Sequence, residues 1–312
     1  MGFLVTTQQV VIMFLLMAVG VLATKRGWLN QSAATGLTNL LMYIVTPSVI
    51  LQAFHRRFDS ARFRDFGIVL GLDLASYLLI WGISFGLFNR RLVTDPLRRR
   101  ALRFGTIYSN AGFLGIPLAQ ALLGRDGVFF AVTFLIAFTL FVWTQGYRMF
   151  PNTKELGQRN QLTQLARNPN LLAVAAGLVL FIGSVPLPGI VVSGLGYLAV
   201  VNVPLSMLIV GRNLASLSWR DFLGDRWVWA GTAARNLIVP AICLGLLTFV
   251  PLDVTTRLSI LIPLSCPVAT FLILFSVMRQ VDAAFATRLM FTSTLVSVVS
   301  LPAVLTLAQA VW

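Results

Sequence analysis

Carboxylates, histidine and cysteine are scarce in this sequence. It holds 10 Asp and Glu, one His and two Cys in 312 residues. The lone histidine, His55, falls at a helix end, so serine–histidine chemistry has no base within the apolar runs. Cys243 and Cys266 lie inside apolar runs without metal-ligand neighbours, which reads as buried reduced thiols. No metal site and no cofactor is expected. A Gly-rich phosphate loop is missing too, so an enzyme has no constellation to work with. Charged residues make up only 11% of the chain, against roughly 25% in soluble domains.

What remains is apolar. Hydrophobic residues make up 57% of the sequence, with mean hydropathy +0.85. At roughly 20 residues per span, the length accommodates about ten spans and leaves no room for a separate soluble domain. The first span is expected near Val5–Thr24; its apolar run, Val10 to Ala23, lacks a basic lead and a cleavage pattern and reads as retained. The other spans are expected near Ser32–Phe54, Phe66–Phe88, Ala101–Leu123, Val128–Phe150, Asn170–Ser184, Ile190–Ala215, Trp227–Val250, Thr255–Met278 and Ala284–Val311.

The net charge of +14 fits topology signals better than nucleic-acid binding, and no nucleic acid is expected. The loops after spans 1, 3, 5, 7 and 9, with their flanking helix ends, hold 17 of the 24 Lys and Arg. The positive-inside rule places these loops in the cytoplasm. Both termini then lie outside the cytoplasm, in the inner (plasma) membrane. Arg56, Arg57, Arg62 and Arg64, in the second loop, run against this bias without reversing it.

The polar stretch 151–167 is a cytoplasmic linker between two halves, 1–150 and 168–312. Each half has five spans, an odd number, so equivalent halves must be inverted. The expected fold is an all-α polytopic membrane protein of ten transmembrane helices, two inverted five-helix repeats, with helices 4 and 9 broken where they cross. Span 4 carries Asn110, Gly112, Gly115 and Pro117 at its centre, and span 9 carries Pro263, Cys266 and Pro267. Glycine weakens a helix interior, and proline removes a donor and clashes with the preceding turn. Exposed backbone at mid-membrane is tolerated only in protein or beside a wet cavity. Two second half-helices starting at one depth would point two positive dipole ends at a shared anion. The alternative is a pair of simple kinks. Thr46-Pro47-Ser48 in span 2 and Val203-Pro204-Leu205 in span 7 form a second matching pair of marks.

Intramembrane polar residues are functional candidates. Asp73, roughly 10 Å inside span 3, is the one carboxylate well within an apolar run. Desolvation favours its neutral form and suits it to carry a proton; a purely structural acid is the alternative. Arg235 in span 8 is either an anion-attracting cation or a side chain that snorkels to the cytoplasm. Asn110 can donate to a carboxylate. Asn39, Tyr43 and Asn202 are lesser candidates. Gly115→Leu is expected to fill the gap between the crossing helices.

Several segments resemble the auxin efflux carrier family, and the likeness covers nearly the whole chain. They are Lys25-Arg26-Gly27-Trp28-Leu29-Asn30 after span 1, Thr46-Pro47-Ser48-Val49-Ile50, Asn168-Pro169, Pro204-Leu205 with Gly211, and Pro263 to Ala269. The most distinctive is Ser109-Asn110-Ala111-Gly112-Phe113-Leu114-Gly115-Ile116-Pro117-Leu118, similar to the family's Asn-x-Gly-x-x-Gly-x-Pro. The resemblance implies a ten-span fold related to the bile-acid sodium symporters. It also implies a substrate site where spans 4 and 9 cross, and an elevator-type movement. Plant members export an auxin carboxylate, and bacterial members are associated with small carboxylates such as malate and malonate.

The short 151–167 link argues for the compact bacterial type. Related carriers place an asparagine in span 5. This chain has Thr133, Thr139, Thr144 and Gln145 there instead, so the substrate does not carry over. The expected function is secondary active transport of a small organic anion, proton-linked, with sodium-coupled symport as the alternative. The partners are that anion, a proton or sodium ion and membrane lipid, with a homodimer left open.

Overall fold

The structure is a computed structural model that describes residues 3–150, 163, 166–215, 225–278 and 283–312. Most of the linker expected at 151–167 lies outside the described residues, as does Lys154. The described chain is helical: α1 Phe3–Lys25, α2 Gln31–Leu40, α3 Thr46–Phe54, α4 Ser60–Leu87, α5 Pro96–Ile107, α6 Ile116–Phe141, α7 Pro169–Ile182, α8 Gly189–Ala215, α9 Arg226–Ala233, α10 Val239–Thr248, α11 Val254–Ser265, α12 Phe271–Met278 and α13 Ala284–Val311. Wider π segments sit at Leu41–Val45, Ala111–Gly115, Val142–Gly146 and Ala234–Ile238. Among the described residues, seven helical stretches are long and apolar enough to cross a membrane, and Pro169–Ile182 and Val254–Ser265 are shorter apolar helices.

Local sequence explains most boundaries. Asn30, Asp59, Asp95, Asn168, Asp225 and Asp253 each cap a helix, their side chains accepting from first-turn amides, which satisfies donors a helix start leaves unpaired. Three of the four π segments end two residues before a proline: Pro47, Pro117 and Pro240. Proline offers no amide and pushes on the carbonyl four residues back, and a widened turn absorbs that misfit. Pro204 behaves differently, because α8 runs through it as regular helix. The matching of spans 2 and 7 at their prolines is therefore one of sequence and not of local geometry.

The apolar stretch Ala111–Gly146 has 36 residues. Straight, it would measure about 54 Å, far beyond the ~30 Å of a bilayer core. Gly124 breaks it with φ +62° and ψ −148°, a conformation open to glycine because it has no Cβ.

The helices fall into two bundles. In the first, α1, α2, α3, α7 and α8 pack chiefly on one another. Close approach of α1 and α8 depends on glycine: a Cβ at Gly20 would stand 2.4 Å from Leu208 O, and one at Gly211 would stand 2.0 Å from Met17 O. In the second bundle, α4, α5, α6 and α9 to α13 pack together. Its interior is aromatic, with Tyr77 stacked 5.1 Å from Phe141 and Phe104 4.5 Å from Tyr108. Across the seam, the Gln120 amide donates to Ala199 O, and Asn202 donates to Gln120 Oε1 at 2.8 Å. Asn202 is buried; this contact holds its amide nitrogen, and its Oδ1 has no hydrogen-bond partner.

Three of the four second-loop arginines form ion pairs, with two carboxylates between them. Arg56 and Arg62 pair with Asp126 at 2.5 and 2.8 Å, and Arg64 pairs with Asp65. Arg98 pairs with Asp225 at 3.1 Å, which puts the starts of α5 and α9 on the same face.

Candidate functional site

Two interruptions meet inside the second bundle. Helix α5 ends at Ile107 and helical structure resumes at Ala111; α11 ends at Ser265 and α12 begins at Phe271. The intervening segments pair antiparallel through Ser109 and Val268. Asn110 N donates to Pro267 O at 2.7 Å, and Ala269 N donates to Tyr108 O at 2.9 Å. Each segment thus satisfies backbone groups the other's break has freed, as a membrane interior requires. Val268 N donates outward to Ser293 Oγ at 3.0 Å, and Ser293 in turn donates to Asn236 Oδ1 at 2.6 Å.

The carbonyl ends of α5 and α11 have another partner. Arg235 is fully buried. Its Nε donates to Cys266 O at 2.9 Å, its Nη1 to Thr106 O at 2.9 Å with Ile107 O at 3.5 Å, and its Nη2 to Leu264 O. It therefore does not snorkel. It has turned inward to cap two helix C-termini.

The amide side of the crossing faces open space. A cleft of about 1080 Å³ runs between the bundles, lined by Gln31, Thr38, Met42, Tyr43, Arg167, Arg212, Thr270 and Met290 among others. Beyond it lies a small cavity of about 50 Å³ lined by Thr46, Ser109, Asn110, Gly112, Thr139, Asn170 and Ala269, among others. Met42, Phe113, Trp143, Asn168 and Phe271 border both. Three aromatic rings, one thioether and the Asn168 amide thus lie between the wide cleft and the small cavity.

The sequence-expected residues divide sharply at this point. Asn110 and Gly112 line the cavity, and nothing stands within 4 Å of a Cβ placed on Gly112. Asn110 Oδ1 lies 3.5 Å from Thr270 Oγ1, a weak hold that leaves the amide available. Gly115, Pro117, Pro263 and Cys266 are buried and, with Pro267, border neither space; they form the packed back of the crossing. A Cβ on Gly115 would meet Pro263 Cα and Cβ at 3.1 Å, so Gly115 permits the close approach and opens no gap for substrate.

Asp73 sits on α4, fully buried. Thr133 Oγ1 lies 2.6 Å from Asp73 Oδ2 and also 2.6 Å from Phe130 O. Asp73 Oδ1 has no hydrogen-bond partner. Gln145 bonds the Tyr108 hydroxyl and so steadies the residue that leads into the first interruption. Tyr43 borders the cleft and is exposed, whereas Asn39 is exposed away from it. Sequence reasoning missed Ser109, Thr46, Asn170 and Thr270. Three of them adjoin motif residues already singled out: Asn110, Pro47 and Pro169.

A family model described as membrane transport protein matches residues 5–305. The chain belongs to that family, the auxin efflux carrier family its motifs resemble. It is similar, at 25% identity over 305 residues, to a protein of Methanothermobacter thermautotrophicus described as an uncharacterized transporter; the match covers 97% of this chain and 98% of that protein. A second transporter so described, from Methanocaldococcus jannaschii, is 22% identical over 291 residues, covering 91% of this chain and 93% of its own length. This transporter thus matches both relatives over nearly their whole length, and it is a multi-pass membrane protein.

Proposed function

We propose that this membrane transporter is a secondary carrier for a small organic anion, with a carboxylate as the group it recognises. The observation that carries the reading is the paired interruption. Its first-turn residues Gly112 and Phe113, and Thr270 and Phe271 at the other break, line the cleft and cavity. First-turn amides have no acceptor within their own helix and sit at the positive end of its dipole. Asn110 adds a side-chain donor at the same level. Arg167 and Arg212 at the wide end of the cleft draw anions inward.

The wider architecture in this proposal is ten spans in two inverted repeats, with broken helices 4 and 9 crossing at the site. Gln31, Arg167 and Arg212, beside the basic loops, line the cleft, which supports a conformation open to the cytoplasm with both termini outside. The site also lies on the seam between the bundles. A sliding of the second bundle against the first would carry it across the membrane, an elevator-type alternating access. Breaking the Gln120–Asn202 contact would accompany that slide.

Asp73 is the proposed proton carrier. The Thr133 hydroxyl has a single proton and two acceptors equally near. Donating that proton to Phe130 O leaves Oγ1 to accept one from Asp73, an arrangement that fits the neutral acid, and no described cation pairs with it. Sodium coupling is the second reading. It is favoured by the unpartnered oxygens of Ser109 and Asn170 at the cavity. Proteoliposome uptake of radiolabelled mono- and dicarboxylates, under imposed proton or sodium gradients, tests both. Accumulation driven by a proton gradient is expected. Accumulation driven only by sodium would replace the proton reading, and no carboxylate uptake at all would remove the function proposed.

A further inference from the structure

The crossing holds one full positive charge that neither transport nor coupling has yet used. Arg235 lies in the π segment Ala234–Ile238, and every hydrogen bond it makes goes to a main-chain carbonyl at the end of α5 or α11. Among the described residues no carboxylate forms an ion pair with it. The next residue, Asn236, donates to Ser293 O at 2.8 Å and accepts from Ser293 Oγ, and so anchors the segment that carries Arg235.

A helix terminus carries about half an elementary charge, positive at the amide end and negative at the carbonyl end. Two carbonyl ends and two amide ends meet at this crossing, and on their own they sum to about zero. Arg235 binds the two carbonyl ends and offsets them. What remains facing the cavity is the pair of amide ends, together about one positive charge.

We propose that Arg235 is a positioning residue that neutralises the carbonyl ends of the crossing, so that the cavity presents about one net positive charge and accepts a singly charged anionic group. A guanidinium suits the task because its planar fork reaches carbonyls on two helices at once. An independent sign of a ligand lies in the cavity wall. Ser109 Oγ is buried there without a hydrogen-bond partner, in a residue 0% exposed. A hydroxyl so placed carries a cost until a ligand accepts its proton.

The proposal rests on the crossing being the anion site, but its test needs no substrate. In a Cys243→Ser, Cys266→Ala background, Gly112→Cys places a thiol in the open space at the amide ends. The rate of its reaction with methyl methanethiosulfonate, followed against pH, reports the local potential through thiolate formation. With Arg235 present the thiol should titrate below the ordinary value of about 8.5. Arg235→Gln should raise that midpoint by about one unit, slowing reaction near neutral pH roughly tenfold. Arg235→Lys keeps the charge and should keep the low midpoint. A midpoint unmoved by Arg235→Gln, or raised equally by Arg235→Lys, overturns the proposal. Should Arg235→Gln fail to fold, the first arm decides: a midpoint at or above the ordinary value beside an intact Arg235 overturns it. A carrier whose thiol behaves as expected but which moves no carboxylate keeps the charge arrangement and loses only the substrate assignment.

Discussion

Gly115 lies directly against Pro263. A Cβ there would stand 3.1 Å from two atoms of the proline, so the two interruptions touch back to back at this point. Three residues earlier, Gly112 faces open space. The two glycines of one motif thus serve opposite ends, one packing and one access.

Their substitutions should therefore separate. Gly115→Leu should destabilise the protein by about 1–3 kcal/mol through overpacking, seen as a lower melting temperature in detergent. Gly112→Leu should leave the melting temperature close to wild type and abolish uptake by filling the cavity. A Gly115→Leu protein that melts normally but does not transport would place Gly115 in the substrate's path after all.

Asp73→Asn preserves size and a hydrogen bond to Thr133 while removing the titrating group. Proton-driven accumulation should be lost, whereas exchange of labelled for unlabelled substrate across the membrane should persist. Undiminished accumulation in the mutant would reduce Asp73 to a structural acid.

Single cysteines at positions 98, 154 and 312, in a background lacking Cys243 and Cys266, test the orientation. Impermeant thiol reagent added outside intact cells should label position 312 and spare positions 98 and 154. The reverse pattern would invert the topology and turn the cleft to the outside.

How much of this was legible in sequence follows from what each residue contacts. Gly112, Gly115, Pro117, Pro263 and Pro267 mark the interruptions because glycine and proline act on their own backbone, and such effects are local. Which glycine faces the cavity was not legible. The π segment Ala111–Gly115 alters the angular step between residues, so helical spacing does not assign faces there. The fate of Arg235 was hidden for a different reason. Its acceptors are carbonyls of residues 106, 107, 264 and 266, and a main-chain carbonyl has no side-chain identity to read. The unpaired oxygens of Ser109 and Asn170 come together only through tertiary packing between the bundles. The broad class was clear from composition alone, since long apolar stretches with few charges have few other uses.

The account's central claim is that a carboxylate binds at the crossing beside Asn110. The most direct test is concentration-dependent counterflow of radiolabelled carboxylates, malonate and malate among them, in proteoliposomes of wild type and Asn110→Ala. Loss of one hydrogen bond to a charged group costs about 1–3 kcal/mol, so the half-saturating concentration should rise roughly 5- to 150-fold, with the melting temperature in detergent nearly unchanged. A half-saturating concentration equal to that of wild type would contradict the claim and move the binding site away from the crossing.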